Sequence, residues 1–266
     1  MAACRLSWPS ILVLVLSLGA CGGGASVPAP APAPAPGVQP SATADISVLM
    51  FGNSHTAANA LPAMLSAMLV AGRPGKTVAV VNAPNYATLE ERMHDQTSRA
   101  QLGSQKWSAL VLQAQQYSTS GMFEYSTSEA VEWVRLARAA GTLPVMFPEW
   151  ARRGIDETER IYTLHAGIAK QQPACVAPVP QAWDLAAARY PSLALHDADG
   201  NHSNPAGAFL AALVLYATIT GEPPAALPGF PQFPVPADVQ ANLRKVADDQ
   251  VKLVSPRLYC PGDPRL

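Results

Sequence analysis

Two short segments, far apart in the chain, carry the residue types needed to attack a carbonyl carbon and move a proton. In the first, Gly52-Asn53-Ser54-His55-Thr56, Ser54 stands directly after an apolar run. The second, Asp199-Gly200-Asn201-His202, closes a polar stretch that opens at His196. A hydroxyl is a weak nucleophile until a neighbouring base takes its proton. With a carboxylate three residues before an imidazole, one loop can offer Asp199 to Nδ1 of His202 and leave Nε2 facing outward as that base. Each segment also has a plainer reading, because Gly, Asn, Ser and Asp-Gly are ordinary turn residues. The pair points to nucleophilic catalysis; neither member does so alone.

The surrounding pattern indicates how the two segments are positioned. Ile46 to Phe51 is a short apolar run that ends in the Gly-Asn-Ser turn, as a buried strand would. Leu61, Met64, Leu65, Met68 and Leu69 then recur at helical spacing, and Ala71-Gly72-Arg73-Pro74-Gly75 stops them. The alternation continues with a strand over Thr77 to Val81, a helix over Leu89 to Leu102 and a strand over Ala109 to Gln113. A helix over Ser128 to Ala140, a strand over Leu143 to Phe147 and a helix around Glu157 to Gln171 follow. Pro205 to Thr220 is the best-marked helix, with Asn204 as N-cap, Pro205 as first helical residue and Gly221 just past the end. Alternation of this kind predicts an α/β fold, a three-layer sandwich with a mainly parallel central sheet. In such sheets ligands bind outside the carboxyl ends of the strands, where Ser54 falls.

Gly52-Asn53-Ser54 followed by Asp199-Gly200-Asn201-His202, in that order, resembles the SGNH/GDSL hydrolases over roughly residues 46–221. The resemblance implies a flavodoxin-like three-layer fold and hydrolysis of an O-acyl ester through an acyl-enzyme on Ser54. His202 would be base then acid, and Asp199 its orienting partner. It also implies an oxyanion hole made by the Ser54 N–H, a glycine N–H and an asparagine amide. The last two depart here. Asn82-Ala83-Pro84-Asn85-Tyr86-Ala87-Thr88-Leu89 holds no glycine, so Asn85 or Tyr86 would supply the N–H, and Tyr86 is taken as the candidate. Gln113-Ala114-Gln115-Gln116 stands where the asparagine block is expected, as in a branch that includes some carbohydrate acetylesterases. Gln113 is therefore the candidate amide donor, or else it simply ends its strand in water. The departures keep a second reading open, a lipid-anchored binding protein with the same fold and little or no turnover.

Metal chemistry is not indicated. His55, His94, His165 and His196 lack partners at ligand spacing and read as turn or surface residues. Asp197, Asp199 and Asn201 begin like a calcium loop, but His202 occupies the position that needs glycine. Glu149-Trp150 falls at the same sheet edge, and a core anchor is the more frequent fate of such a tryptophan. No glycine-rich loop followed by Lys-Ser or Lys-Thr is present, so no cofactor is implied.

The chain has 266 residues, 49% hydrophobic and 14% charged, with net charge −1 and dispersed basic residues, which argues against a nucleic-acid partner. Residues 1–20 read as an export signal, with Arg5 ahead of an apolar stretch too short to span a bilayer. Leu18-Gly19-Ala20-Cys21 resembles a bacterial lipobox, which would lipidate Cys21; simple secretion after Ala20 is the alternative. The expected location is the cell envelope, anchored at the outer membrane and facing the periplasm. Residues 21–44, rich in Pro, Ala and Gly, read as an extended tether. Residues 45–222 form the expected hydrolase domain, and 223–266 a Pro-rich strap and helix packed on it. In an oxidising compartment Cys175 and Cys260 would pair, unless they are buried as free thiols.

Overall fold

The structure is a computed structural model that describes residues 44–266. The expected signal, Cys21 and all of the expected tether but Ala44 lie outside the described residues. Five strands, β1 (Ile46–Phe51), β2 (Val78–Asn82), β3 (Ala109–Leu112), β4 (Leu143–Met146) and β5 (Cys175–Val176), make one sheet in the order β2-β1-β3-β4-β5. Every pairing is parallel. β1 is buried along its whole length, as a strand covered on both faces must be.

Alternate residues of β1 feed two cores. Val48 and Met50 face one layer, built from α2 (Leu61–Gly72), α7 (Val179–Arg189), α8 (Pro205–Thr220) and α9 (Ala237–Leu253). Leu49 and Phe51 face the other, where α3 (Leu89–His94), α5 (Ser128–Ala139) and α6 (Thr158–Gln171) supply Leu89, Trp133 and Ile168. The result is a three-layer α/β sandwich. α8 is buried from Gly207 to its end, which suits a sequence with no polar stripe. Asn204 caps it through Ala206 and Gly207 N–H, and Gly221 leaves it at φ 71°.

Two places differ from the sequence reading. The helix expected over Leu89 to Leu102 is broken at Asp95, which is extended and turns its carboxylate onto the Thr97 and Ser98 N–H groups, starting α4 (Gln96–Gly103) afresh. β5 and α7 were not expected, because a two-residue strand carries no periodicity and Pro178 and Pro180 flank the helix start like loop residues. At the far edge of the sheet Cys175 and Cys260 are disulfide-bonded, with Cα atoms 5.1 Å apart.

Candidate active site

β1 lies between β2 and β3, so the chain leaves it in one direction to build β2 and returns on the other side to build β3. The crevice of a doubly wound sheet opens at that reversal. Ser54 sits there, as the first residue of the four-residue helix α1 (Ser54–Ala57). Asn53 caps α1, its Oδ1 accepting the His55 N–H at 3.0 Å. Gly52 is required by close approach: a Cβ there would overlap Thr56 Oγ1 and stand 2.6 Å from Gln113 Oε1.

The base loop comes 148 residues later and meets the nucleophile directly. His202 Nε2 is 2.8 Å from Ser54 Oγ, and His202 Nδ1 is 2.5 Å from Asp199 Oδ2. A hydrogen on Nδ1 facing the carboxylate leaves the Nε2 lone pair to accept the serine proton. Asp199 Oδ1 accepts the Asn201 and His202 N–H groups, each at 2.9 Å. The His202 hydrogen bond, followed by these N–H groups, holds the Asp199 carboxyl far below the usual carboxylate range. Three anchors bring the loop to Ser54. Trp150 Nε1 donates to Asn201 O at 2.8 Å, Arg153 N–H to Gly200 O at 2.9 Å, and Asn59 Nδ2 to Ser203 O at 2.5 Å.

Gln113 occupies a different position from the one expected. It is wholly buried, Oε1 accepting the Asn53 N–H and the Thr56 hydroxyl, each at 2.9 Å, while Nε2 donates to Glu149 Oε2 at 3.0 Å. The Asn53 N–H fixes which end of the amide faces the turn, because a donor requires an acceptor. The reading of Gln113 as an oxyanion donor is therefore corrected: its amide hydrogens are turned toward Glu149, and its oxygen braces the nucleophile turn. Glu149 is buried with it, and burial pushes its carboxyl above the ordinary range.

Arg92 was not singled out from the sequence, and it organises the same edge. It is 1% exposed, and its guanidinium donates to the carbonyls of Gly52 at 2.8 Å and Asn85 at 2.6 Å. The loop after β2 is thus fastened beside the serine turn. Because N–H and C=O point in opposite directions in a trans peptide, fixing Asn85 O on Arg92 turns the Tyr86 N–H away from it. Among the described residues neither the Ser54 nor the Tyr86 N–H has a protein acceptor. The Tyr86 side chain is 70% exposed.

The histidines also require correction, since only His94 of the four is an exposed residue. His55 stacks on His202 at 4.9 Å between ring centroids and leans on Trp150 at 5.3 Å. Burial, then the neighbouring His202, lowers its pKa to about 4. His165, on the inward side of α6, is fully buried, with Nδ1 2.8 Å from Ile161 O one turn earlier. His196 packs edge-on against Trp183 and lies 2.8 Å from Ala151 O through Nε2. Trp150 is a core anchor, stacked on Trp183 at 4.4 Å. A groove of about 800 Å³ along residues 151–158 is lined by Trp183 and His196 and not by Ser54, whereas a smaller cavity of about 180 Å³ is lined by Asn53, the residue before Ser54 in the chain.

No protein-family model and no curated protein matches the chain. Solved structures do. A "putative SGNH hydrolase" from Slackia heliotrinireducens is 28% identical, over 64% of this chain and 97% of that one, with a TM-score of 0.52. A DUF4886 family protein from Bacteroides uniformis is 18% identical over 79% and 95%, with a TM-score of 0.65. The psychrotrophic esterase EstA from Pseudoalteromonas sp. is 14% identical over 65% and 95%, with a TM-score of 0.47. The Bacteroides protein shares the fold, and the Slackia protein shares both fold and more than a quarter of its residues over nearly its full length. By that likeness the chain has an SGNH/GDSL-hydrolase-like α/β fold and is similar to a hydrolase of that kind.

Proposed function

We propose that the protein is an exported serine esterase that removes an O-acyl group, in its narrower form an O-acetyl group, from a carbohydrate. The 2.8 Å approach of His202 Nε2 to Ser54 Oγ, with Asp199 on the opposite ring nitrogen, is the observation that carries this reading. Ser54 Oγ attacks the ester carbonyl carbon as His202 takes its proton. The oxyanion forms against the Ser54 and Tyr86 N–H groups. The bond from carbon to the alcohol oxygen then breaks, and the alcohol leaves with the proton from Nε2. Water attacks the acyl-serine with His202 again as base, which releases the acid and restores Ser54.

Export and anchoring belong to the same proposal, with lipid on Cys21 holding the domain at the outer membrane on its periplasmic side. The Cys175–Cys260 disulfide supports an oxidising compartment. A second reading, a binding protein with weak or no turnover, draws on one observation: Gln113 is turned away from the oxyanion. Losing one such donor costs about 2.7–4 kcal/mol of barrier.

The full chain separates the two readings. A fluorophosphonate probe should label the wild type and not Ser54→Ala, and p-nitrophenyl acetate turnover should fall by at least about 10³-fold in Ser54→Ala. Equal turnover by the two proteins, with no labelling, would remove the esterase reading. Incorporation of radiolabelled palmitate that is lost in Cys21→Ser tests the anchor.

A further inference from the structure

Between β3 and α5 the chain runs from Gln113 to Thr127 without a regular element, a length at which loops in compact domains tend to be functional. Its apolar side chains stand in water. Met122 is 76% exposed, Phe123 66% and Tyr125 44%, a concentration that a monomer's surface rarely keeps without use. The loop is braced in that shape. Arg160 Nη1 donates to the Ser118 and Thr119 carbonyls at 2.8 and 2.6 Å, Tyr117 donates its hydroxyl to Glu157 at 3.1 Å, and Gln115 Nε2 donates to Ser126 O at 2.9 Å. These aromatic rings are held out by hydrogen bonds to the loop behind them.

Two cavities adjoin at this loop. The one of about 180 Å³ that begins at Asn53 is lined by Gln116, Tyr117 and Tyr125, and the same three residues line a second, of about 280 Å³, that reaches Phe123 and Arg160. A path therefore leads from Asn53, the residue before the nucleophile, across Tyr125 to Phe123. Its lining mixes flat aromatic faces with amides, carboxylates and a guanidinium. A lipid tail would need a continuous apolar wall, and the side-chain amides of Gln115 and Gln116 interrupt it. A pyranose ring has one apolar C–H face and a rim of hydroxyls, so it matches both halves of this lining.

We propose that these adjoining cavities form a saccharide-binding subsite, in which Tyr125 and Phe123 stack on sugar rings of the chain whose ester is presented to Ser54. The proposal rests on the esterase reading for the presented ester, but its binding half is tested without turnover. Unacetylated hexasaccharides of β-linked xylose, glucose and N-acetylglucosamine are titrated into full-length Ser54→Ala protein. At least one should bind, and adding Phe123→Ala or Tyr125→Ala should weaken it by about tenfold or more. In the Ser54 enzyme, the same aromatic substitutions should lower kcat/KM for that hexasaccharide's O-acetylated form, relative to p-nitrophenyl acetate, by about tenfold, chiefly through KM.

If the hexasaccharide binds and the aromatic variants weaken it while wild type hydrolyses neither ester, the subsite stands and the esterase reading fails. If wild type hydrolyses p-nitrophenyl acetate but no hexasaccharide binds, or the aromatic substitutions change nothing, the subsite is overturned and the esterase reading stands. Phe123-dependent binding of the Cys21→Ser protein to phosphatidylethanolamine and phosphatidylglycerol vesicles, without sugar binding, would equally overturn it.

Discussion

His55 is the residue whose behaviour departs most from what its place in the sequence suggests. A histidine next to a nucleophile in a turn reads as surface, yet its ring lies between His202 and Trp150 and its pKa falls to about 4. The unfolded chain would take up that proton near the ordinary imidazole value of about 6.5. Between these two values the unfolded state binds more protons than the native state, so stability falls as pH drops from 6.5 to 4. The ring contributes at most about 3 kcal/mol to that fall. In His55→Phe, which keeps the stacking surface and cannot titrate, urea unfolding should show a shallower loss over this window; parallel curves for the two proteins would contradict the assignment. Glu149 tests the other buried partner. Glu149→Gln keeps an acceptor for Gln113 Nε2, whereas Glu149→Leu leaves a buried amide unpaired at a cost of about 1–3 kcal/mol. Leucine should therefore lower both the unfolding midpoint and kcat, and glutamine should restore most of each.

At the scale of elements, the nucleophile turn depends on space as much as on hydrogen bonds. Gly52→Ala forces a methyl group into Thr56 Oγ1 and toward Gln113 Oε1, where both neighbours are buried and hydrogen-bonded. A destabilisation of about 1–3 kcal/mol is expected, with loss of fluorophosphonate labelling in whatever protein still folds. Unchanged labelling and stability would show that the turn tolerates the methyl. The elements that carry the triad were readable because their signals are local: an apolar run ending in Gly-Asn-Ser, an Asp-x-x-His loop, and a helix with Asn204 before it and Gly221 behind it. What was not readable depends on partners distant in sequence. Arg92 sits among Leu-Glu-Glu-Arg-Met-His, which reads as a solvated face, and its burial is explained by the carbonyls of Gly52, Pro84 and Asn85, the Ser98 hydroxyl and the Phe51 ring beneath it. Nothing in Gln113-Ala114-Gln115-Gln116 tells which way the first amide turns, because Glu149 and Asn53 decide that.

On the scale of the whole molecule, the disulfide joins residues 85 apart in sequence, linking the last strand to the C-terminal segment. Closing a loop of that length restricts the unfolded chain and typically adds about 2–5 kcal/mol. Cys260→Ser should lower the unfolding midpoint accordingly while triad geometry, measured by fluorophosphonate labelling at low temperature, persists. A midpoint equal to wild type would mean that the bridge adds nothing. The same segment does a second thing at β5. Val176 N–H donates to Pro256 O at 2.9 Å, on the side where no sixth strand lies. An unpaired margin of a sheet is a template for strand addition by another molecule. Here the chain's own tail, stapled in place, sits on that margin, so edge-to-edge sheet growth between copies is blocked on that side, and among the described residues β2 is the margin left open to a foreign strand.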